Sequence, residues 1–152
     1  MRLIEGTNII DTEDIILSMA NRRKFQTGLP VNIWIDEKKG YIAGGHGKRI
    51  KFQTTYANGW VNQGEASMNL KGEVIPDTYD KTSSELSIRD IREISNFVKN
   101  NAYALDKVAD GYIFMDQFDD VMIKGGELAS EEVVNLQKTL VDKYIELNES
   151  EK

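Results

Sequence analysis

Cysteine is absent from the 152-residue chain, and histidine occurs once, at His46. The first absence excludes disulfides, thiolate nucleophiles and cysteine-ligated zinc or iron–sulfur centres. The second excludes a metal site built from several histidines of one subunit. No apolar run approaches the roughly 18 residues of a membrane span. The opening Met1-Arg2-Leu3-Ile4-Glu5-Gly6 has no signal-peptide hydrophobic region, so a soluble protein of the cytoplasm, away from membranes, is expected. Positive charge is also scarce, with 19 Lys and Arg against 25 Asp and Glu, a net charge of -6. An extended nucleic-acid footprint needs a contiguous basic face and is not expected, although a local basic patch can hold one small anion.

What is present is the make-up of one domain. Apolar residues form 40% of the chain and charged residues 29%, values at which a core forms and bulk disorder is not expected. Leu3, Ile4, Ile9 and Ile10 read as a short extended start around Gly6. Asp11 or Thr12 can cap a helix with Ile15, Ile16, Met19 and Ala20 on its apolar face and Arg22, Arg23 and Lys24 as a solvated basic end. Gly28-Leu29-Pro30 breaks it. Residues 31–36 then alternate as a strand, with Val31, Ile33 and Ile35 on one side and Asn32, Trp34 and Asp36 on the other. After a polar turn over 37–40 and Tyr41-Ile42-Ala43, residues 48–53 form a second strand. Ile50 and Phe52 point to the core with Lys48 at its rim; Arg49, Lys51 and Gln53 lie opposite. Residues 54–64 are a long polar connection carrying Tyr56 and Trp60, and such loops are often functional or mobile. Residues 65–71 alternate again, with Ala66, Met68 and Leu70 inward, and 77–85 read as a polar linker.

Ser87, with Asp90 three residues on, caps the clearest helix. Ile88, Ile91, Ile94, Val98, Ala102, Leu105 and Val108 recur every three or four residues, which predicts one core helix over 88–109. A shorter helix is expected over 116–124, presenting Phe118, Val121 and Met122. Ser130 caps the last helix, whose stripe of Val133, Leu136, Leu140, Tyr144 and Leu147, joined by Val134, Val141 and Ile145, is wide enough for two neighbours. The predicted fold is α+β: a mainly antiparallel sheet of three or four strands, packed on one face by the long helix, with additional C-terminal helices. It divides into an α+β domain over 1–126 and a C-terminal helix over 127–152 that packs on the domain or in a subunit interface.

Chemistry concentrates at Gly44-Gly45-His46-Gly47-Lys48-Arg49-Ile50-Lys51-Phe52. Its glycines can turn backbone amides toward a phosphate, yet no Gly-Lys-Ser/Thr follows and a strand comes next, so neither the P-loop nor the dinucleotide fingerprint is present. His46 beside Lys48, Arg49 and Lys51 suits an anion, but as a general base it has no orienting partner in sequence. Asp116-Gln117-Phe118-Asp119-Asp120 lacks calcium-loop spacing and reads as a helix cap and solvated face. With helices under the apolar side, the open face of the sheet carries Asn32, Trp34, Asp36, Arg49, Lys51, Gln53, Ser67, Asn69 and Lys71. An indole among cations makes a polar platform with one stacking surface; an ordinary wet sheet face is the alternative. The candidate binding residues are Trp34, His46, Lys48, Arg49, Lys51, Gln53, Tyr56, Trp60 and Asn69. No catalytic residue, cofactor or metal is expected.

Through His46-Gly47-Lys48-Arg49-Ile50-Lys51 the sequence resembles small uncharacterised proteins of phages, prophages and mobile elements that carry a His-Gly-x-Arg-Ile-Lys segment before a strand. The resemblance continues through Ala66-Ser67-Met68 and Phe97-Val98-x-x-Asn101-x-x-x-Leu105, across about residues 30–125. More distantly the chain is similar to a short family at toxin–antitoxin loci with a Pro-Pro-His-x-His-Val strand, of whose two histidines only His46 remains. These likenesses imply mobile DNA as the setting, where small acidic proteins block or sequester host defence components. The expected function is a non-enzymatic counter-defence protein, anti-CRISPR-like toward a host defence protein or sequestering a small anionic nucleotide. A regulatory toxin–antitoxin component and a His46-dependent hydrolase are the alternatives. Self-association through the C-terminal helix is a further expectation.

Overall fold

The computed structural model describes residues 19–37, 47–59 and 64–151. Among these, β1 (Met19–Arg22), β2 (Ile33–Asp36), β3 (Arg49–Gln53) and β4 (Glu65–Asn69) form one sheet in that order, with every pairing antiparallel. The helices are α1 (Lys24–Thr27), α2 (Ile88–Asn100), α3 (Ala102–Ala109), α4 (Met115–Val121) and α5 (Glu131–Ser150). A short 3-10 turn, Pro76–Thr78, lies between sheet and helices in sequence. The α+β architecture is the one the residue pattern predicts. None of the described helices is long and apolar enough to cross a membrane.

Register explains where the core lies. Ile33 stands opposite Phe52 and Ile35 opposite Ile50; on the next strand Phe52 meets Ala66 and Ile50 meets Met68. Directly opposed residues share a face, so these six side chains form one apolar floor. Onto it pack Ile94, Phe97 and Val98 of α2, Leu105 and Val108 of α3, Phe118 of α4 and Val141 of α5, all in one buried cluster. Each large side chain buried there stabilises the fold by about 2 kcal/mol. Ser87 caps α2 as expected: its hydroxyl accepts from the Asp90 amide and the Asp90 carboxylate accepts from the Ser87 amide.

Three expectations require correction. The helix predicted to run into Arg22, Arg23 and Lys24 is, over 19–22, strand β1; its earlier positions lie outside the described residues. Ala20 pairs with Ile35 and Asn21 with Trp34, so the ladder offered by β2 overrides the local helical pattern. The basic run is therefore no solvated helix end. Arg22 makes a two-pronged bond to Asp119 at 2.8 Å, and Arg23 donates to the Asn58 carbonyl at 2.9 Å.

The single helix over 88–109 is two helices, α2 and α3, parted at Asn101. The Asn101 side chain is fully buried, donates to the carbonyls of Phe97 and Ile123, and accepts from the Ile123 amide and the Gln137 side chain. Its hold on both backbone groups of Ile123 also ends α4 at Val121, short of the predicted Lys124. Asn96 and Asn100 extend this grip, donating to the carbonyls of Gly126 and Glu127. Gly126 lies so close to Glu93 that a Cβ would fall 2.4 Å from that residue's own Cβ.

The stripe of α5 divides between two environments. Gln137 and Val141 are buried, with Tyr144 and Ile145 against the core, whereas Val133, Leu136, Leu140 and Leu147 are exposed together with the nearby Leu128. Asn101→Ala strands the amide and the carbonyl of Ile123 and leaves the Gln137 side chain only its bond to the Val121 carbonyl. We expect a loss of about 3 kcal/mol, from two or more unsatisfied buried groups, seen as a Tm about 10 °C lower in a domain of this size. A Tm within about 2 °C of the parent protein would contradict this role for Asn101.

Candidate functional site

The polar side of the sheet is built by the same register that makes the apolar floor. Trp34, Lys51 and Ser67 are directly opposed on three consecutive strands, and Arg49 faces Asn69 in the adjoining row. Asp36 lies two residues along β2 from Trp34, so it shares their side. Trp34 and Arg49 therefore share one side, the side away from the core helices.

That side is not the open, wet platform predicted. Asn32, Asp36, Arg49, Gln53 and Ser67 are all buried. Cover comes from loops that lack periodicity. At one end the Asn58 carbonyl accepts from the Asn32 side chain at 3.2 Å, and the Lys24 amide donates to Asn32 at 2.8 Å. At the β4 edge, Thr78 of the 3-10 turn accepts from the Ser67 amide at 2.9 Å.

The predicted binding residues separate accordingly. Gln53 is spent inside the fold, accepting from Asn32 at 3.0 Å and donating to the Ala57 carbonyl. Tyr56 is exposed, but its hydroxyl bonds Asp90 and its amide donates to Glu85, tying its loop to the start of α2. Asn69 organises the turn after β4, accepting from the amides of Lys71 and Glu73. Lys48 sits at the rim of the apolar side, as its alternation implies, and clamps β3 to α3 through Asp106 at 2.6 Å and Asp110 at 2.7 Å. Burial works against its charge, but the two aspartate hydrogen bonds outweigh this and raise its pKa above the ordinary lysine value. His46 and Trp60 lie outside the described residues.

What remains is a small pocket of about 160 Å³ lined by Arg49, Lys51, Glu65, Ala66, Ser67 and Thr78. Arg49 is only 5% exposed, and its Nε and Nη1 are buried without hydrogen-bond partners among the described residues. A buried guanidinium cation lacking acceptors is costly. The Asp36 carboxylate does not supply these acceptors: Oδ2 accepts from the Arg49 backbone amide at 3.1 Å, and Oδ1 has no partner among the described residues. Lys51 contributes a second cation, held by Glu65 at 3.5 Å. Comparison with protein-family models, curated proteins and solved structures finds no match for this chain.

Chemically, the pocket offers an oxyanion two cations and the hydroxyls of Ser67 and Thr78, with the Glu65 carboxylate beside Lys51 as the one opposing charge on its lining. Among the described residues the Ser67 hydroxyl has no hydrogen bond to a base, and no group of three or more acids or histidines is placed to hold a metal. Alternation in the sequence places Ser67 on this face. Thr78 is reached only through the fold of the segment after β4, and no local signal marks it.

Burial is the largest influence on Asp36 and raises its pKa above the ordinary 3.8, against the lowering effects of the Arg49 amide and of the Arg49 and Lys51 charges. The folded state thus prefers the protonated form. Asp36 removes stability as pH rises from below the unfolded value through the higher folded one. Asp36→Asn cannot ionise, so its stability relative to the parent should climb as pH rises from below the ordinary carboxylate value through the raised one in denaturant titrations. A gap that stays constant with pH would show that Asp36 is not strained by burial.

Proposed function

We propose that the chain is a non-enzymatic binding protein that seats the anionic group of a small nucleotide against Arg49. The observation that carries this reading is the buried Arg49 guanidinium, two of whose nitrogens, Nε and Nη1, lack acceptors among the described residues, at the wall of a pocket it shares with Lys51, Glu65 and Ser67. Guanidinium is the group best shaped to receive two oxygens of a phosphoryl ligand. A pocket of about 160 Å³ takes a phosphoryl group and leaves the base outside. Trp34, directly opposite Lys51, is the ring on that face against which a base can stack. The resemblance to phage and mobile-element proteins supplies the setting. There the protein acts in the host cytoplasm and withdraws an anionic defence signal.

A protein partner is favoured by a different surface. Val133, Leu140 and Leu147 recur every seven residues on α5, and all are exposed with Leu136 beside them, the spacing of a helix-pair seam. The occupant of this reading is a second copy of the chain, packed about a two-fold axis. The hydrolase alternative gains nothing from the geometry, since His46 lies outside the described residues.

Tryptophan fluorescence during nucleotide and inorganic phosphate titrations tests the first reading, with Trp34→Phe assigning the signal. Arg49→Met should weaken binding by about 10- to 100-fold, the worth of a charged hydrogen bond, while leaving the far-ultraviolet circular dichroism unchanged. Undiminished affinity in that variant rules the reading out. For the second surface, light scattering should find a dimer that Leu140→Glu converts to a monomer of the same helical content. A parent protein that stays monomeric at about 100 μM excludes it.

A further inference from the structure

On the helix side of the 3-10 turn lies a groove of about 840 Å³, far larger than the Arg49 pocket. The turn is the partition between them: Thr78 lines the small pocket, whereas Pro76 and Tyr79 line the groove. One wall is the outer stripe of α2, where Ile88, Arg92, Ser95 and Lys99 follow one another at helical spacing. The other is the segment from Gly72 to Lys81. Ser95 donates to the Gly72 carbonyl at 2.7 Å and closes one end. Gly72 has φ +83°, and a Cβ there would lie 2.6 Å from the Ser95 hydroxyl, so the closure requires glycine.

The lining has a pronounced chemical bias. Val74, Pro76, Leu86 and Ile91 supply an apolar floor, and Ile88 stands 79% exposed at its mouth. Three cations, Lys81, Arg92 and Lys99, stand on the lining, and no carboxylate does. None of the three is ion-paired among the described residues. In a chain of net charge -6 this is a local reversal of sign. An apolar body of ligand-pocket volume with a few placed charges is the make-up of a small-molecule site.

We infer that this groove binds a small anionic amphiphile, a molecule with an apolar body along Val74, Leu86 and Ile91 and a carboxylate or phosphoryl group held by Arg92 and Lys99. The inference stands independently of the Arg49 reading, because the two sites share a wall and no binding residue.

The probe is anilinonaphthalene sulfonate, an aromatic body with one anionic group, compared with neutral phenylnaphthylamine. The combined Arg92→Gln and Lys99→Gln variant should weaken the sulfonate about tenfold, the worth of two exposed charges, and the neutral probe less than about twofold. Ile88→Ser should weaken both. Arg49→Met and Leu140→Glu should change neither, which separates failure here from failure at the sheet face or at α5. Octanoate and octyl phosphate then compete: whichever displaces the probe identifies the anionic group. Unchanged sulfonate affinity in the charge variant, loss of binding in Leu140→Glu, or displacement by neither competitor overturns the assignment.

Discussion

The lateral register of β2 on β3 is the constraint on which the rest depends. A slip of one residue would carry Ile33 and Ile35 out of the core and turn Asn32, Trp34 and Asp36 into it. With the observed pairing, apolar side chains meet the helices and polar ones gather on the far side. Arg49 is then buried not because its own chemistry favours burial but because Ile50 and Phe52 on either side of Lys51 must face the helices. The charge is carried in by its neighbours. A side chain buried in this way carries an unmet electrostatic demand, which makes Arg49 a poor contributor to stability.

A second organising device acts on the C-terminal half. Three asparagines along one helical segment, Asn96, Asn100 and Asn101, seize the backbone of the connection from Ile123 to Ala129. Amide side chains satisfy both donors and acceptors, so they replace the hydrogen bonds that an irregular segment cannot make with itself. Asn101 reaches on to Gln137, which brings α5 against the domain by a polar contact as well as through Val141. The helix is thereby fixed on one side, leaving its leucines outward.

The sequence makes some of this architecture legible. Alternation over 31–36, 48–53 and 65–71 identifies both faces of the sheet, because a period of two leaves no choice of side once the apolar residues are inward. Ser87 and Ser130 mark helix starts for a local reason, the unpaired amides of a first turn. Asn101 gives no such signal. Its partners lie 22 and 36 residues away, and a helical pattern runs through it undisturbed. Residues 19–22 mislead for the same reason, since the strand is imposed by a neighbour. The covering of the polar face escapes as well, because Asn58 and Thr78 lie in segments without periodicity. The groove beside α2 is half visible: Arg92 and Lys99 belong to a readable helix face, but the wall that makes it a cavity comes from the segment read as a linker.

Lys48 shows how a fold can alter the reactivity of one amine. Asp106 of α3 and Asp110 at that helix's end hold it as ammonium. An ammonium has no lone pair to offer, so reagents that acylate lysines find this one withheld for as long as β3 and α3 stay together. Its acquisition of label would report the parting of sheet from helix, an internal gauge of local opening at that seam.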